Sequence, residues 1–517
     1  MTSPSERLYL SYALYDRAGK TLRPSGILMH LLRLFPELKK EASPGGEALK
    51  PLKAGACPPD QRSGAETEEP LFSGLQAERL LVRGLRTARD GEILPELRDL
   101  LTAENTVPEK KKLLLVDAAT FFHEDRLLGR AAARALYGEF LYGNVTRIET
   151  FFNCPMRHFL KYGLNLKEER EYAFTGQDAG TLSHSAMELV FSRAAAEGRM
   201  PGEMEEEERD AFVQECVDEA VRGDESGLYE DSARNRYLVK KLCGIVKKSV
   251  KVMEQQRMRG DFRPYALEES LASGGERPVL LTRLSGGEWM RLGGRPDRID
   301  IAEEGGMIAL KIIDYKTGNV KWEPYRILSG SQLQLILYLD AAAELLKQRF
   351  PEKEIVPAAV LYMKLQDPWL KRTGSDTPEL IEKLILKELK PSGLVNIRPE
   401  VMKHLCAVPE EAPEVLPVKQ NKAGGWSGDG AADEKRFTML RNYVRKKAKE
   451  AGEQIYDGKM SPEPLQEGAN DACTWCSYSA VCGFDLKCPG FRGNISLKIK
   501  PEEVFRVIEE EEEQKNA

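Results

Sequence analysis

At 517 residues the chain is longer than one hydrophobic core usually holds, so two or three domains are expected. A hydrophobic fraction of 41%, a charged fraction of 31% and the lack of any long unbroken apolar run argue against a membrane span. The net charge of -6 excludes a molecule coated in positive charge, as a histone-like binder would be, but leaves room for a local basic groove.

The N-terminus, MTSPSERLYLSYALYD, has neither the basic start nor the apolar core of a secretion signal, so a cytoplasmic protein is expected. Nine cysteines in such a chain argue against a disulfide framework and direct attention to metal. Cys57, Cys216, Cys243, Cys406 and Cys488 sit in no ligand pattern.

In chain order, a strand is expected at Leu8–Leu14, then a turn and an apolar helix ending near Phe35-Pro36. Residues 39–70, rich in Pro, Gly, Ala and charge, read as an exposed linker. Packing helices are expected around Leu75–Thr87, Leu94–Ala103 and Ala118–Leu141. From Thr146, TRIETFFNCPMRHFLKYGLNL starts a helix with aromatics at helical spacing, a second helix begins near Thr181, and a charged helical region runs from about Gly202 to Gly260.

Strand signals then dominate: PVLLTRL, WMRLGG, DRIDIA and MIALKIIDYK, followed by a helix over Ser331–Arg349 and a strand VPAAVLYMKL. That order predicts an α/β (α+β) fold, a mixed sheet flanked by helices. The acidic run at 509–512 reads as a solvated helix end or a disordered tip.

The most informative stretch is residues 293–318, GGRPDRIDIAEEGGMIALKIIDYKTG. Gly305-Gly306 between two apolar-patterned strands signals a two-residue hairpin turn. With that turn, Asp297 and Asp314 face each other and project to one side of the sheet, and Lys316 shares that side. Two carboxylates held together repel unless neutralised, which a hard divalent cation does. A neighbouring lysine would orient the attacking water or offset charge on a phosphate. Asp300, at an odd spacing, points to the other side and is assigned a structural role near Arg298. The bland alternative, two amphipathic strands with solvated charges, fits any one of these residues but not their coincidence.

The spacing of Asp297 and Asp314-Tyr315-Lys316 resembles the PD-(D/E)XK nucleases, in the branch found in RecB- and AddB-type proteins. The resemblance implies the corresponding restriction-endonuclease-like fold and a site holding Mg2+ or Mn2+. It adds His184, in GTLSH, as a metal ligand, together with Asp297, Asp314 and the backbone carbonyl of Tyr315. It also adds Glu268 as the site glutamate, with Glu269 the alternative, and Gln334 and Tyr338 one helical turn apart. Without it, Gln334 and Tyr338 read as packing residues and His184 as a buried, hydrogen-bonded histidine.

Near the C-terminus CTWCSYSAVC places Cys473, Cys476 and Cys482 in one short loop, and a fourth thiolate must come from elsewhere. The resemblance to iron–sulfur nucleases supplies Cys154, in FFNCPMRHF, and implies a [4Fe-4S] cluster. Structural zinc is the competing metal and Cys488 the competing ligand.

The resemblance covers residues 146–490, with the helical insertion at 202–260; residues 1–145 resemble a helicase-like remnant and 491–517 form an acidic tail. The GKT at 19–21 has Leu14 where a phosphate loop needs glycine, so no ATP site is expected. The implied function is metal-dependent DNA cleavage at ends during recombinational repair, with an AddA-type partner and no membrane. The alternatives are a stand-alone iron–sulfur exonuclease and a non-catalytic DNA-binding architectural protein.

Overall fold

The computed structural model describes residues 122–516 apart from 126, 168–171, 272–277, 319, 371–376, 469, 487 and 489. The chain divides into two compact units, Met1–Leu80 and Leu81–Ala517, and the described residues belong to the second. The expected strand at 8–14, the helix ending near 36, the 39–70 linker, the helices at 75–87 and 94–103 and the GKT at 19–21 lie outside the described residues.

The first described elements are helix α1 (Arg130–Tyr137), strand β1 (Phe140–Asn144) and helix α2 (Val145–Asn153). Three long helices follow, α3 (Gly176–Glu197), α4 (Glu206–Arg222) and α5 (Ala233–Arg257). Strands β2 (Arg263–Leu267), β3 (Leu280–Arg283), β4 (Trp289–Gly293), β5 (Arg298–Glu304) and β6 (Met307–Lys316) come next. Helix α6 (Gln334–Arg349) leads to β7 (Glu354–Lys364), β8 (Ser392–Asn396) and β9 (Ala431–Ala432), and then to helices α7 (Glu434–Tyr456) and α8 (Pro501–Asn516).

Six strands form the main sheet, in the order β9-β8-β7-β6-β5-β2, and three form a smaller one, β1-β4-β3. The predicted hairpin is present: β5 and β6 pair antiparallel without a break from Arg298 opposite Ile313 to Glu304 opposite Met307. Gly305, the first central residue of the turn, has φ +57°, which glycine reaches without the steric cost that a Cβ brings. β6 then pairs parallel with β7, and α6 is the crossover such a pair needs.

Period-two alternation divides the apolar residues between the sheet faces. Ile299, Ile308, Leu310 and Ile312 join α6 and α7 in the largest core cluster. Ile313 and Tyr315 face the other way and pack with α3, α4 and α5. Arg298 and Asp300 share this second side; Arg298 donates to Asp300 at 2.6 and 3.1 Å, and Lys311 lies 3.0 Å from it. The structural assignment of Asp300 agrees with this geometry.

Several expectations are corrected. The described part of the Ala118–Leu141 segment is helical only over Arg130–Tyr137, because Gly138, at φ +78°, ends the helix and residues 140–144 alternate as a strand. The helix expected near Thr181 begins at Gly176, since Thr175 and Asp178 form a reciprocal capping box. The 202–260 region is two helices, the second capped by Ser232. The acidic run does end a helix, but α8 is no free tail: Val504, Phe505 and Ile508 belong to the main core cluster. Lys435 and Lys446 on α7 meet Glu509 and Glu511 at 2.8 and 3.3 Å.

Among the described helices, none is long and apolar enough to cross a membrane.

Because Phe505 is only 5% exposed, truncating it leaves a core cavity. Phe505→Ala should lower stability by about 3 kcal/mol in urea unfolding; a change within error would show that α8 is not part of the folded core.

Candidate functional site

The β5–β6 register sets Asp297, one residue before β5, opposite Asp314 on β6. Both are buried, at 7% and 2% exposure. Asp297 Oδ2 accepts the backbone N–H of Tyr315 at 2.5 Å, which fixes the carboxylate against the neighbouring strand. Lys316 Nζ lies 2.5 Å from Asp314 Oδ2 and over the ring of Tyr362. Burial, and then the charge of Asp297, push the Asp314 carboxyl up to about 6 despite Lys316.

Two further elements bring their side chains to the same place. His184, on α3, has Nδ1 3.2 Å from Asp297 Oδ1 and 3.9 Å from Glu268 Oε1, and its ring meets the buried Tyr315 edge to face. Burial disfavours the imidazolium, but the Asp297 hydrogen bond and the surrounding carboxylates outweigh it and raise the pKa. Of the two glutamates considered, Glu268 is the one whose carboxylate joins the group. Its own φ is +47°, and its N–H donates to the Asp297 carbonyl at 3.0 Å. Burial and the Asp297 charge raise its pKa against the pull of Arg295, with which it pairs.

One donor atom from each of His184, Glu268 and Asp297 lies within 4.8 Å of the others. An imidazole nitrogen with carboxylate oxygens, beside a further buried carboxylate, is a donor set that fits a hard divalent cation.

Helix α6 closes the site from above the sheet. Tyr338 Oη accepts from Gln334 Nε2 and from the Arg295 backbone N–H, both at 3.3 Å, so the two helix residues hold the segment between β4 and Asp297. The ring lies against Gly294, where a Cβ would come within 2.3 Å of it; this close approach requires glycine.

Glu149 and Arg295 are the residues the sequence reading missed. Glu149, on α2, accepts the backbone N–H groups of Leu333 and Gln334 at 2.8 and 3.1 Å, so it caps α6 from another helix. Nothing in the sequence marks a cap supplied from so far away. Arg295 pairs with both Glu268 and Glu188, and its place in GGRPD, two residues before Asp297, was an available signal.

The cysteines form a second centre. Cys154, the C-cap of α2, lines one small cavity together with Cys473, Cys476 and Cys482; Cys488 does not. Burial, aided by the neighbouring thiols, pushes Cys154 up to about 11, and burial with Asp471 pushes Cys473 to about 12. Four thiols turned onto one cavity fit a four-cysteine metal centre.

Burial also pushes the Glu149 carboxyl up to about 7, against its two N–H donors. A carboxyl whose folded pKa exceeds the unfolded one makes stability fall as pH rises from about 4.5 to about 7. Its neutral form still offers a carbonyl oxygen to both N–H groups, as glutamine does. Glu149→Gln should therefore match the parent's melting temperature at pH 5 and exceed it at pH 8, whereas Glu149→Ala should melt lower at pH 5. Equal melting of all three at pH 5 would show that the cap contributes nothing.

The comparisons agree with this geometry. Residues 144–483 match the PD-(D/E)XK nuclease superfamily. Similar proteins include the B subunit of the ATP-dependent helicase/deoxyribonuclease of Lachnoclostridium phytofermentans, 32% identical over 99% of this chain and 43% of that protein. The proteins of the same description from Desulforamulus reducens and Clostridium botulinum are 32% and 30% identical over 99% and 100% of the chain, and 42% and 44% of their own lengths. The chain thus spans less than half the length of these curated relatives. By the matched residues and the strand pair that carries its acidic side chains, the chain belongs to the PD-(D/E)XK nuclease superfamily.

Proposed function

We propose that the chain hydrolyses DNA phosphodiester bonds with a divalent metal, Mg2+ or Mn2+, as the nuclease part of a helicase–nuclease of the AddB type. The observation that carries this reading is the convergence of His184, Glu268 and Asp297 beside the Asp314–Lys316 pair. Asp297, Asp314 and His184, with the backbone carbonyl of Tyr315, would hold the cation, and Glu268 would complete its charge. Such an ion, when bound, polarises the phosphate and lowers the pKa of a bound water.

The remaining work falls to the chain. Lys316, drawn to Asp314 and partly open to solvent, is suited to hold the attacking water and offset charge building on the phosphate. Gln334 and Tyr338 fix the backbone leading into Asp297, so the acidic group is held before substrate arrives. Repair of DNA ends with an AddA-type partner fits the names of the relatives.

The four cysteines are assigned a structural [4Fe-4S] cluster. Among the described residues, His184, Glu268 and Asp297 are the group of His, Cys, Asp or Glu donors that falls within 4.8 Å. The four sulfurs therefore stand wider than the edge of about 3.8 Å that four zinc–sulfur bonds impose, which favours the cluster over zinc. Its ligands lie more than half the chain apart, so it closes a very long loop and restricts the unfolded state.

Labelled single-stranded and duplex DNA incubated with the full chain should be cut with Mg2+ and spared with chelator. Asp297→Asn, Asp314→Asn and Lys316→Ala should each slow cutting at least about 100-fold without lowering the melting temperature. Near-parental cutting by Asp314→Asn would rule out the site.

After anaerobic purification, iron and acid-labile sulfide should be present in equal amounts, and Cys154→Ser or Cys476→Ser should lose both and melt lower. Cys216→Ala and Cys406→Ala should keep the metal. One zinc per chain without sulfide would replace the cluster by zinc.

A further inference from the structure

The small sheet has one face that the nuclease reading leaves unused. Its strands alternate: Leu141, Met290 and Leu292 point inward and are fully buried. The outward set is formed by Phe140 and Tyr142 on β1, Trp289 and Arg291 on β4, and Leu281 and Arg283 on β3. Phe140 pairs with Trp289 and Tyr142 with Arg291, while Arg283 pairs with Trp289 and Leu281 with Arg291, so all six share that face.

A half-solvated sheet normally turns polar residues outward. Here three aromatics and two arginines stand there instead. Phe140, Tyr142 and Leu281 are 39%, 46% and 51% exposed. The Phe140 and Tyr142 rings lie nearly parallel, with centroids 5.7 Å apart, and the Arg283 guanidinium sits over Trp289.

This face is continuous with the metal site. β4 runs on through Gly293 and Gly294 to Asp297, and the six residues from Arg291 to Asp297 reach at most roughly 20 Å. An open cleft of about 490 Å³ fills the interval, lined by Tyr142, Asn144, Tyr162, Ser270 and Gly294. Its floor at Gly294 is bare backbone, because Tyr338 occupies the space behind it where a side chain would start.

We infer that this face is a stacking platform for single-stranded DNA, with Tyr142 and Trp289 receiving bases, Arg283 and Arg291 meeting phosphates, and the cleft leading the strand to the Asp297 carboxylate. The inference rests on the nuclease reading for its direction. Flat aromatic rings complement base faces, which a duplex hides and a single strand offers, and guanidinium groups complement the backbone charge. The platform thus selects unpaired strands ahead of the site.

The test uses the full chain in chelator, a fluorescent oligothymidylate, an abasic strand of the same length and charge, and a blunt hairpin duplex. The parent should bind the oligothymidylate at least about tenfold tighter than either of the others, on the scale of one base–aromatic stack. Tyr142→Ala should remove about that factor for the oligothymidylate alone, and Tyr142→Trp should restore it. Trp289→Ala should act likewise if its melting temperature is preserved; Tyr142 is exposed enough to carry the test by itself. Arg283→Ala should weaken both single strands and flatten the dependence on salt by about one counterion.

Equal affinity of the parent for thymidylate and abasic strands, or unchanged thymidylate binding by Tyr142→Ala, overturns the platform. Loss of a self-associated species in Tyr142→Ala with unchanged oligonucleotide binding also overturns it, and makes the face a contact between copies. The two readings fail separately. Mg2+-dependent cutting by a chain whose Tyr142→Ala variant binds normally leaves the nuclease and removes the platform. Stacking-dependent binding without any cutting does the reverse.

Discussion

The unbroken antiparallel register of the β5–β6 hairpin is the constraint on which the site depends. Closed by a two-residue turn at Gly305-Gly306, it sets Asp297 across from Asp314 and brings Lys316 to the same side. The same strands turn Arg298, Asp300 and Lys311 to the opposite side. There the buried Asp300 carboxylate is held below its usual range: burial opposes ionisation, but the Arg298 and Lys311 charges prevail. The hairpin therefore neutralises one of its two acidic faces with its own cations and leaves excess negative charge on the other. A slip of one residue would exchange the two.

The site's second requirement is rigidity imposed from a distance. Helix α2 begins with the Asn144 cap, carries Glu149 to the start of α6 and ends at Cys154. One short helix thus joins the cysteine cavity to the helix that holds Gln334 and Tyr338. In turn, Tyr338 holds the backbone of Arg295, two residues before Asp297. Each link is a hydrogen bond or a cap, so its effect is on geometry and not on net charge.

The parts of this arrangement that were legible in the sequence are the local ones. Alternation in MIALKIIDYK gave β6 to the residue, and the glycine pair gave the turn. His184, Glu268, Gln334, Tyr338 and Cys154 came from likeness to a family and not from spacing, since they lie on separate elements that only the fold brings together. Glu149 was not legible because its partners are backbone groups more than 180 residues away. The helix boundary at Tyr137 was missed because apolar content extended past Gly138, whose positive φ ends the helix. The anchoring of α8 was masked by its acidic second half, although Val504, Phe505 and Ile508 repeat at helical spacing.

Glu268 holds its carboxylate in place from a left-handed backbone conformation that costs a residue with a Cβ about 1–2 kcal/mol. A Glu268→Gly change would relieve the strain and also remove a partly desolvated acid from beside Asp297. At this one position, selection for heat resistance and selection for function oppose each other. A library screened on folding alone would drift toward glycine here and silence the site, so glutamate persists only under pressure from the chemistry.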